Sequence, residues 1–392
     1  MGNKYIIKNG KAIIGDKIEN IDILIADGKI IDAAHPKDYE TPDYKIIDAQ
    51  GSYVSAGFVD IHIHGGGGSD FMDDDDDAYF NIVNAHLRHG TTSLMPTTLS
   101  ADYECIIKAI KKYKQAKADK RISGCLIGLH LEGPYLSPFQ AGAQKPENIR
   151  DFEPKEYNAI IDAAEGDIKR WSVAPELKGS WEFAKTAQKN NITLSIAHSN
   201  ADFDTVLEAF EHGYRHITHL YSGMSSITRI KGFRVAGVLE AAYYLDDMNV
   251  EIIADGCHLP HSLLKYVVKF KDISKIAIIT DAMRAAGQDV KESYLGSKDD
   301  PQPVIIEDGV AKLLSREAFG GSVATADRLV RTMKAAGVRL QDCVKMATSN
   351  PIAMMNLPDK KGKIQKGYDA DICIFDEDIN IIQVIKSGHP IL

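Results

Sequence analysis

The chain has 392 residues, 44% of them hydrophobic, which is more than one ordinary domain and enough for a sizeable core, so a large domain with a small companion is expected. Lys and Arg number 46 against 55 Asp and Glu, a formal charge of -9 with no basic stripe, which argues against a nucleic-acid partner. No apolar run approaches the roughly 20 residues of a membrane-spanning helix. The start MGNKYIIKNG lacks a signal-peptide core and the five cysteines form no C-x-x-C pair, so a soluble cytoplasmic protein with reduced thiols and no membrane partner is expected.

From the N-terminus, YIIKNGKAII, IDILIADGKII and YKIIDAQGSYV are β-type runs broken at Asn9-Gly10 and Asp27-Gly28, and they predict a small antiparallel sheet. The closing stretch GYDADICIFDEDINIIQVIKSG has the same character. The two ends, residues 1–56 and 359–392, are therefore expected to build one small β-sandwich domain around a central domain of residues 57–358. Within the centre the strand candidates are FVDIHIH, TTSLMPTT, CLIGLHLEG, RWSVAPE, ITLSIAHS, HITHLYSG, VEIIADGCH and KIAIITDAM. Helical stretches such as DAYFNIVNAHLRHG, ADYECIIKAIKKYKQA and DTVLEAFEHG separate them, with apolar residues at three- and four-residue intervals. Alternating β and α predicts an α/β fold with parallel strands, a (β/α)8 TIM-like barrel. A doubly wound open sheet is the alternative, but no G-x-G-x-x-G opens a helix after the first strand. The acidic run Asp73 to Asp77 lacks the alternation and terminal glutamate of a calcium loop and reads as a solvated loop leading into a helix at Ala78.

His62 and His64 stand two apart on one strand face, roughly 6.5 to 7 Å apart along the strand, so one cation can sit between them. They lie at the C-terminal end of the first barrel strand, where barrel active sites assemble, and the glycines after them keep the site open. Alone, H-x-H also suits two ordinary strand histidines. Four other strand ends carry a metal-ligand type: Glu132, His198, His219 and Asp281. A buried polar group at such a place needs a partner or an ion. His130 and His216 read as structural histidines by their spacing.

With these motifs in view, GFVDIHIHGG, GTTSLMPT, GLHLEGPYLSP, KPENIRD, THLYSGM, DGCHLP, TDAMRAAG, FGGS, ATSNPIAMM and KGKIQKGYDADICIFD together resemble the amidohydrolase superfamily and, within it, the N-acetylglucosamine-6-phosphate deacetylase family. The resemblance covers nearly the whole chain. It implies that Glu132, His198 and His219 hold the main divalent metal, and that His62 and His64 hold a second, with Glu132 bridging and Asp281 contributing. It implies zinc first, with iron, manganese or cobalt as alternatives, since nitrogen and oxygen ligands accept several divalent ions. It also implies a homodimer acting on a small amino sugar phosphate, in which the neighbour completes the phosphate pocket.

The chemistry expected is amide hydrolysis by metal-activated water, with Asp281 as catalytic base and acid. Asp281 also has the reading of an N-cap for a helix entered at DAMRAAG. By resemblance Ala143, Gln144, Ser222, Gly223, Arg229, Arg234, His258, Phe319, Gly320 and Gly321 meet substrate, although His258 on its chemistry alone equally fits a strand-end histidine bonded to backbone. Three places depart from the family. Gln144 stands where a histidine is usual, Ser222-Gly223 replaces Asn-Ala, and Arg229 comes one place early without the usual Pro-Gly. An N-acetylgalactosamine 6-phosphate deacetylase, a cyclic amidase and a non-catalytic barrel scaffold are the alternatives. Glu132 at the strand end where cyclic amidases often use a carboxylated lysine favours the deacetylase.

Overall fold

Eight strands alternate with eight helices between residues 58 and 335, and because each helix returns the chain to the same edge, the strands must run parallel. The computed structural model describes residues 4–34, 43–357 and 360–391. The barrel strands are Phe58–Ile63, Thr91–Thr98, Leu129–Glu132, Ile168–Val173, Thr193–Ile196, Tyr214–Ile217, Asn249–Ile253 and Ile276–Ile279, each paired in parallel with the next. The open-sheet alternative fails because the first strand meets the last: Asp281 N donates to His62 O at 3.0 Å and His64 N to Ala282 O at 2.9 Å. The helical stretches form as their spacing predicts, over Ala78–Leu87, Tyr103–Lys117 and Phe203–Glu211 among others. Asp102 and Asp202 cap two of them, accepting from Cys105 N at 2.7 Å and Thr205 N at 2.9 Å.

The barrel interior is layered. Its floor is apolar: Val59, Ile61, Ile253 and Ile279 pack with Ile352 and Met354 of the short helix Ser349–Met354. Asn350 donates to the carbonyls of Ile273 at 2.6 Å and Ile276 at 2.9 Å, which seats that helix under the N-terminal end of the barrel. Above the floor lies a polar layer in which His130, Ser172, Thr218, Ser195, Arg170 and Glu251 hydrogen-bond across the lumen. The site described below sits on top of it.

The terminal strands form two sheets around their own apolar core, with Ile7, Ile23, Ile25, Val54, Ile372 and Ile374 inside. Tyr53–Ala56 lies antiparallel to Ile372–Phe375, Val54 opposite Ile374, so both chain ends share one sheet. The expectation of a simple antiparallel N-terminal sheet is corrected. Lys4–Lys8 pairs in parallel with Lys45–Asp48, and Lys11–Ile14 in parallel with Tyr53–Ala56, in the other sheet. Asn9-Gly10 thus carries the chain between sheets instead of closing a hairpin; Asn9 has φ 59°, and a Cβ on Gly10 would lie 2.5 Å from Val54. The crossing lets Ile7 and Ala12 enter the same core from opposite sheets. Residues 358 and 359, where the central domain was expected to end, lie outside the described residues.

A buried ion cluster joins the small domain to the barrel. Asp371 Oδ2 accepts from Lys361 Nζ at 2.7 Å and Lys386 Nζ at 2.8 Å, and Lys386 also donates to Gly124 O at 2.7 Å. Burial pushes the Asp371 carboxyl up, but the two ammonium groups outweigh it and hold it below the usual range. Asp371→Asn leaves the buried Lys386 without a counter-charge and Lys361 with Asp369 alone, 3.0 Å away, and is expected to cost about 3–5 kcal/mol in urea unfolding. Asp247→Asn, which breaks the exposed pair with Lys275, is expected to cost under about 1 kcal/mol.

Candidate active site

Each strand-end candidate leaves a different part of the same rim. His62 belongs to the first strand and His64 follows it, Glu132 ends the third, and His198, His219 and Asp281 stand two residues past the fifth, sixth and eighth. Closure of the barrel brings them together. Ligand atoms of His62, His64 and Glu132 lie within 4.8 Å of one another, as do those of Glu132, His198 and His219. Glu132 is shared between the two groups. Its Oε1 faces His198 Nε2 at 3.3 Å and His219 Nε2 at 2.9 Å, while Oε2 faces His62 Nε2 at 3.6 Å and His64 Nε2 at 3.4 Å. Asp281 Oδ1 lies 3.4 Å from His62 Nε2 and 3.1 Å from His64 Nε2.

The backbone is bent to make this possible. His198, His219 and Asp281 have φ of 43°, 31° and 47°, the left-handed region that non-glycine residues rarely adopt and that costs on the order of 1–3 kcal/mol each. Three strained residues at three separate strand ends, all aimed at one point, mark a functional site. The N-cap reading of Asp281 is corrected: among the described residues no helix begins there, and its main chain instead bonds His62 O and Ser322 N.

The outer nitrogens of three histidines are engaged by main-chain carbonyls. His64 Nδ1 lies 3.2 Å from Thr97 O, His198 Nδ1 2.8 Å from Gln140 O and His219 Nδ1 3.1 Å from Ser222 O. A carbonyl only accepts, so each Nδ1 carries the hydrogen and each Nε2 turns a lone pair toward the carboxylates. Lone pairs facing carboxylates repel unless positive charge lies between them. The donor set of imidazole nitrogens and carboxylate oxygens therefore fits a divalent cation, and the anchored tautomers are those of metal ligands. Without a cation, protons answer the same demand. Burial disfavours charge on His62, but Glu132 and Asp281 outweigh it and raise its pKa to about 9; His64 is raised in the same way. Burial pushes Asp281 up, and His62 and His64 outweigh it, so its carboxyl stays below the usual range and ionised.

A cavity of about 230 Å³ opens above these groups. Ala143, Gln144, Ser222, Gly223, His258, Phe319 and Gly321 line it, together with His64, Glu132, His198, His219 and Asp281. Gly320 is buried behind the lining, donating to Ala311 O at 2.9 Å. Arg229 and Arg234 are not in the lining; they face each other on the exposed hairpin Thr228–Ile230 and Phe233–Val235. The backbone-bonded reading of His258 is corrected: its Nδ1 meets Asp255 Oδ2 and its main-chain N donates to Asp255 Oδ1, each at 2.8 Å, so the partner is a carboxylate, and Phe319 packs against its ring at 4.7 Å. Gln144 is already engaged at both ends of its amide, accepting from Ser100 N at 2.9 Å and donating to Glu132 Oε2 at 3.0 Å. It steadies Glu132 while facing the cavity.

The solvated reading of the acidic run is corrected at its first residue. Asp73 is buried and holds Arg284, three residues past Asp281, through two bonds of 2.8 Å. Glu176 anchors the segment after His198, accepting from Ser199 Oγ at 2.7 Å and Asn200 N at 2.6 Å. Neither pairing is visible in sequence. Arg170 in RWSVAPE and Glu251 in VEIIADGCH belong to no recognised motif, yet a charge inside an apolar strand is itself a signal that a partner exists.

Comparison with known proteins accords with this geometry. The chain is 32% identical to the N-acetylglucosamine-6-phosphate deacetylase of Bacillus subtilis, covering 99% of this chain and 97% of the relative. It is 30% identical to the N-acetylgalactosamine-6-phosphate deacetylase of a Shewanella species, covering 98% and 95%. The structure of a point mutant of the Mycobacterium smegmatis N-acetyl-D-glucosamine-6-phosphate deacetylase, in complex with N-acetyl-D-glucosamine-6-phosphate, superposes with a TM-score of 0.91 at 26% identity, covering all of both chains. Residues 53–391 match the model of the amidohydrolase family, and the chain belongs to that family.

Proposed function

We propose that this protein hydrolyses the acetamide of N-acetylglucosamine 6-phosphate to glucosamine 6-phosphate and acetate. The observation that carries the reading is the convergence of Glu132, four imidazoles and the ionised Asp281 at the floor of one cavity. Glu132, His198 and His219 would hold one divalent ion, and His62 and His64 a second, with Glu132 between them and Asp281 contributing. Zinc is the ion proposed, ahead of iron, manganese or cobalt. Bound there, a divalent ion polarises the amide carbonyl and makes the attacking water acidic. Asp281 accepts the proton of that water and returns it to the departing amine, so the base of the first step is the acid of the second. His258, held by Asp255, presents its other nitrogen to the sugar, and Ala143, Gln144, Ser222, Gly223, Phe319 and Gly321 shape the pocket.

Arg229 or Arg234 binds the 6-phosphate across a homodimer in this reading. It is supported by their place outside the chain's own cavity, on a hairpin that exposes Ile230 (55%) and Phe233 (77%), apolar surface that a second copy would bury. The free state of all five cysteines supports a cytoplasmic setting. No helix among the described residues is long and apolar enough to cross a membrane. The galacto isomer is the second reading, favoured by the Shewanella relative.

Asp281→Asn is expected to keep the fold and bound metal and to lower acetate release about 10²–10⁴-fold; a near-wild-type rate removes Asp281 from the mechanism. Acetate release is expected to be fastest with N-acetylglucosamine 6-phosphate among the gluco and galacto sugars with and without phosphate, and no advantage for the phosphorylated sugars overturns the phosphate assignment. Metal uptake has a pH signature. Because His62 and His64 hold protons in the metal-free chain, zinc binding at about pH 7 is expected to expel them, and affinity to weaken from about pH 8 to about pH 6. Calorimetry in two buffers of different ionisation enthalpy measures the release.

A further inference from the structure

Three rim histidines are aimed by main-chain carbonyls, but His62 has none. It is fully buried, with Nε2 toward His64, Glu132 and Asp281 and Nδ1 pointing down into the barrel, where no hydrogen-bond partner among the described residues completes it. The atom it faces is Glu251 Oε2 at 3.6 Å, a buried carboxylate oxygen that likewise has no hydrogen-bond partner among the described residues. Glu251 Oε1 accepts from Arg170 Nη1. Arg170, also fully buried, is fixed in turn: Nε donates to Ser195 Oγ at 2.8 Å, Nη2 to Thr218 Oγ1 at 2.8 Å, and Nη1 reaches Ile61 O at 3.4 Å.

We propose that Glu251 is the positioning residue for His62, held in place by Arg170, so that this buried chain of three side chains presents the His62 Nε2 lone pair to a divalent cation shared with His64. The inference rests on the two-ion reading above. An arginine and a glutamate buried only to support a fold would pair fork to fork, both carboxylate oxygens on the guanidinium. Here one oxygen is withheld and turned to an imidazole nitrogen that lacks a partner. A carboxylate can only accept, so it selects the tautomer with hydrogen on Nδ1, as the carbonyls of Thr97, Gln140 and Ser222 do for the other three. It adds what a carbonyl does not, a full negative charge behind the ring, which strengthens Nε2 as a donor to a cation. The energetics agree with the same assignment: a buried ion pair is a poor source of stability compared with apolar packing, so its presence directly beneath the rim calls for another role.

The test is stepwise cobalt(II) binding to metal-stripped full-length protein, followed by the visible absorption of the ion and by elemental analysis after desalting. Wild-type protein is expected to take two ions. Glu251→Gln places an amide donor against Nδ1 and is expected to weaken the second ion about 10–100-fold while the first, on Glu132, His198 and His219, binds as before and serves as the control for a folded site. A paired Arg170→Met with Glu251→Leu change removes both charges at once and is expected to give the same selective loss without an unpaired buried charge. Unchanged affinity for the second ion in both variants overturns the proposal, as does a wild-type chain that takes one ion only, or loss of both ions in both variants. A wild-type chain that binds no ion at all overturns the metal reading itself, which is a different failure.

Discussion

One carboxylate organises the rim. Glu132 is 2% exposed, and its two oxygens look in different directions, each toward a pair of imidazole nitrogens. Buried without a counter-charge, such a group is costly, and neutral imidazoles offering lone pairs make its position worse. Only positive charge at the centre resolves the arrangement. The other features of the rim are then parts of one solution: Nδ1 atoms tied outward, strained φ angles that bring His198, His219 and Asp281 inward, and Gln144 donating to the oxygen of Glu132 that faces His62 and His64.

The layers below explain how a barrel tolerates so much polarity in its lumen. The floor, built from Val59, Ile61, Ile253, Ile279 and the helix Ser349–Met354, is a conventional apolar core. The polar layer above it has no water-exposed face and must satisfy itself. His130 shows how. It lies between Thr97 Oγ1 at 3.1 Å and Ser172 Oγ at 2.7 Å, and burial and Arg170 hold it well below the ordinary histidine pKa, so it stays neutral beside four imidazoles that answer to carboxylates. Its neighbour His62 faces carboxylates instead of hydroxyls: Glu132, Asp281 and Glu251. Two buried histidines 4.8 Å apart are thereby driven in opposite directions by what each one touches.

Periodicity made the architecture legible. Eight apolar runs separated by amphipathic stretches are a strong signal because the strands of a closed parallel barrel are buried on both faces, so apolar residues dominate them without strict alternation. The rim residues were legible for a related reason: an ionisable side chain at the end of such a run stands out. What stayed hidden depends on tertiary pairing. Asp73 looks like its four exposed or half-exposed acidic neighbours, and nothing local says that Arg284 meets it across more than two hundred residues. The N-terminal strands failed differently. Asn-Gly between two β runs has the composition of a hairpin turn, and the same left-handed bend serves equally to pass the chain from one sheet to another; only the shared core of Ile7 and Ala12 decides between them.

The departures at Gln144 and Ser222-Gly223 belong to the same constraint. Gly223 lies against the ring of His198, and a Cβ there would come 2.8 Å from Nδ1, the atom that donates to Gln140 O. With Gln140 O only 3.3 Å from the same point, a larger residue at 223 has to displace either the ring or the loop that fixes its tautomer. Ser222 contributes its carbonyl to His219 in the same way. Pocket residues on this side of the cavity are therefore supports of the proposed metal ligands as well as walls for a sugar. A change in substrate preference made here without a change in the donor set has to act through groups free of that double duty, and His258 with Phe319, packed against each other in the lining, meet that condition.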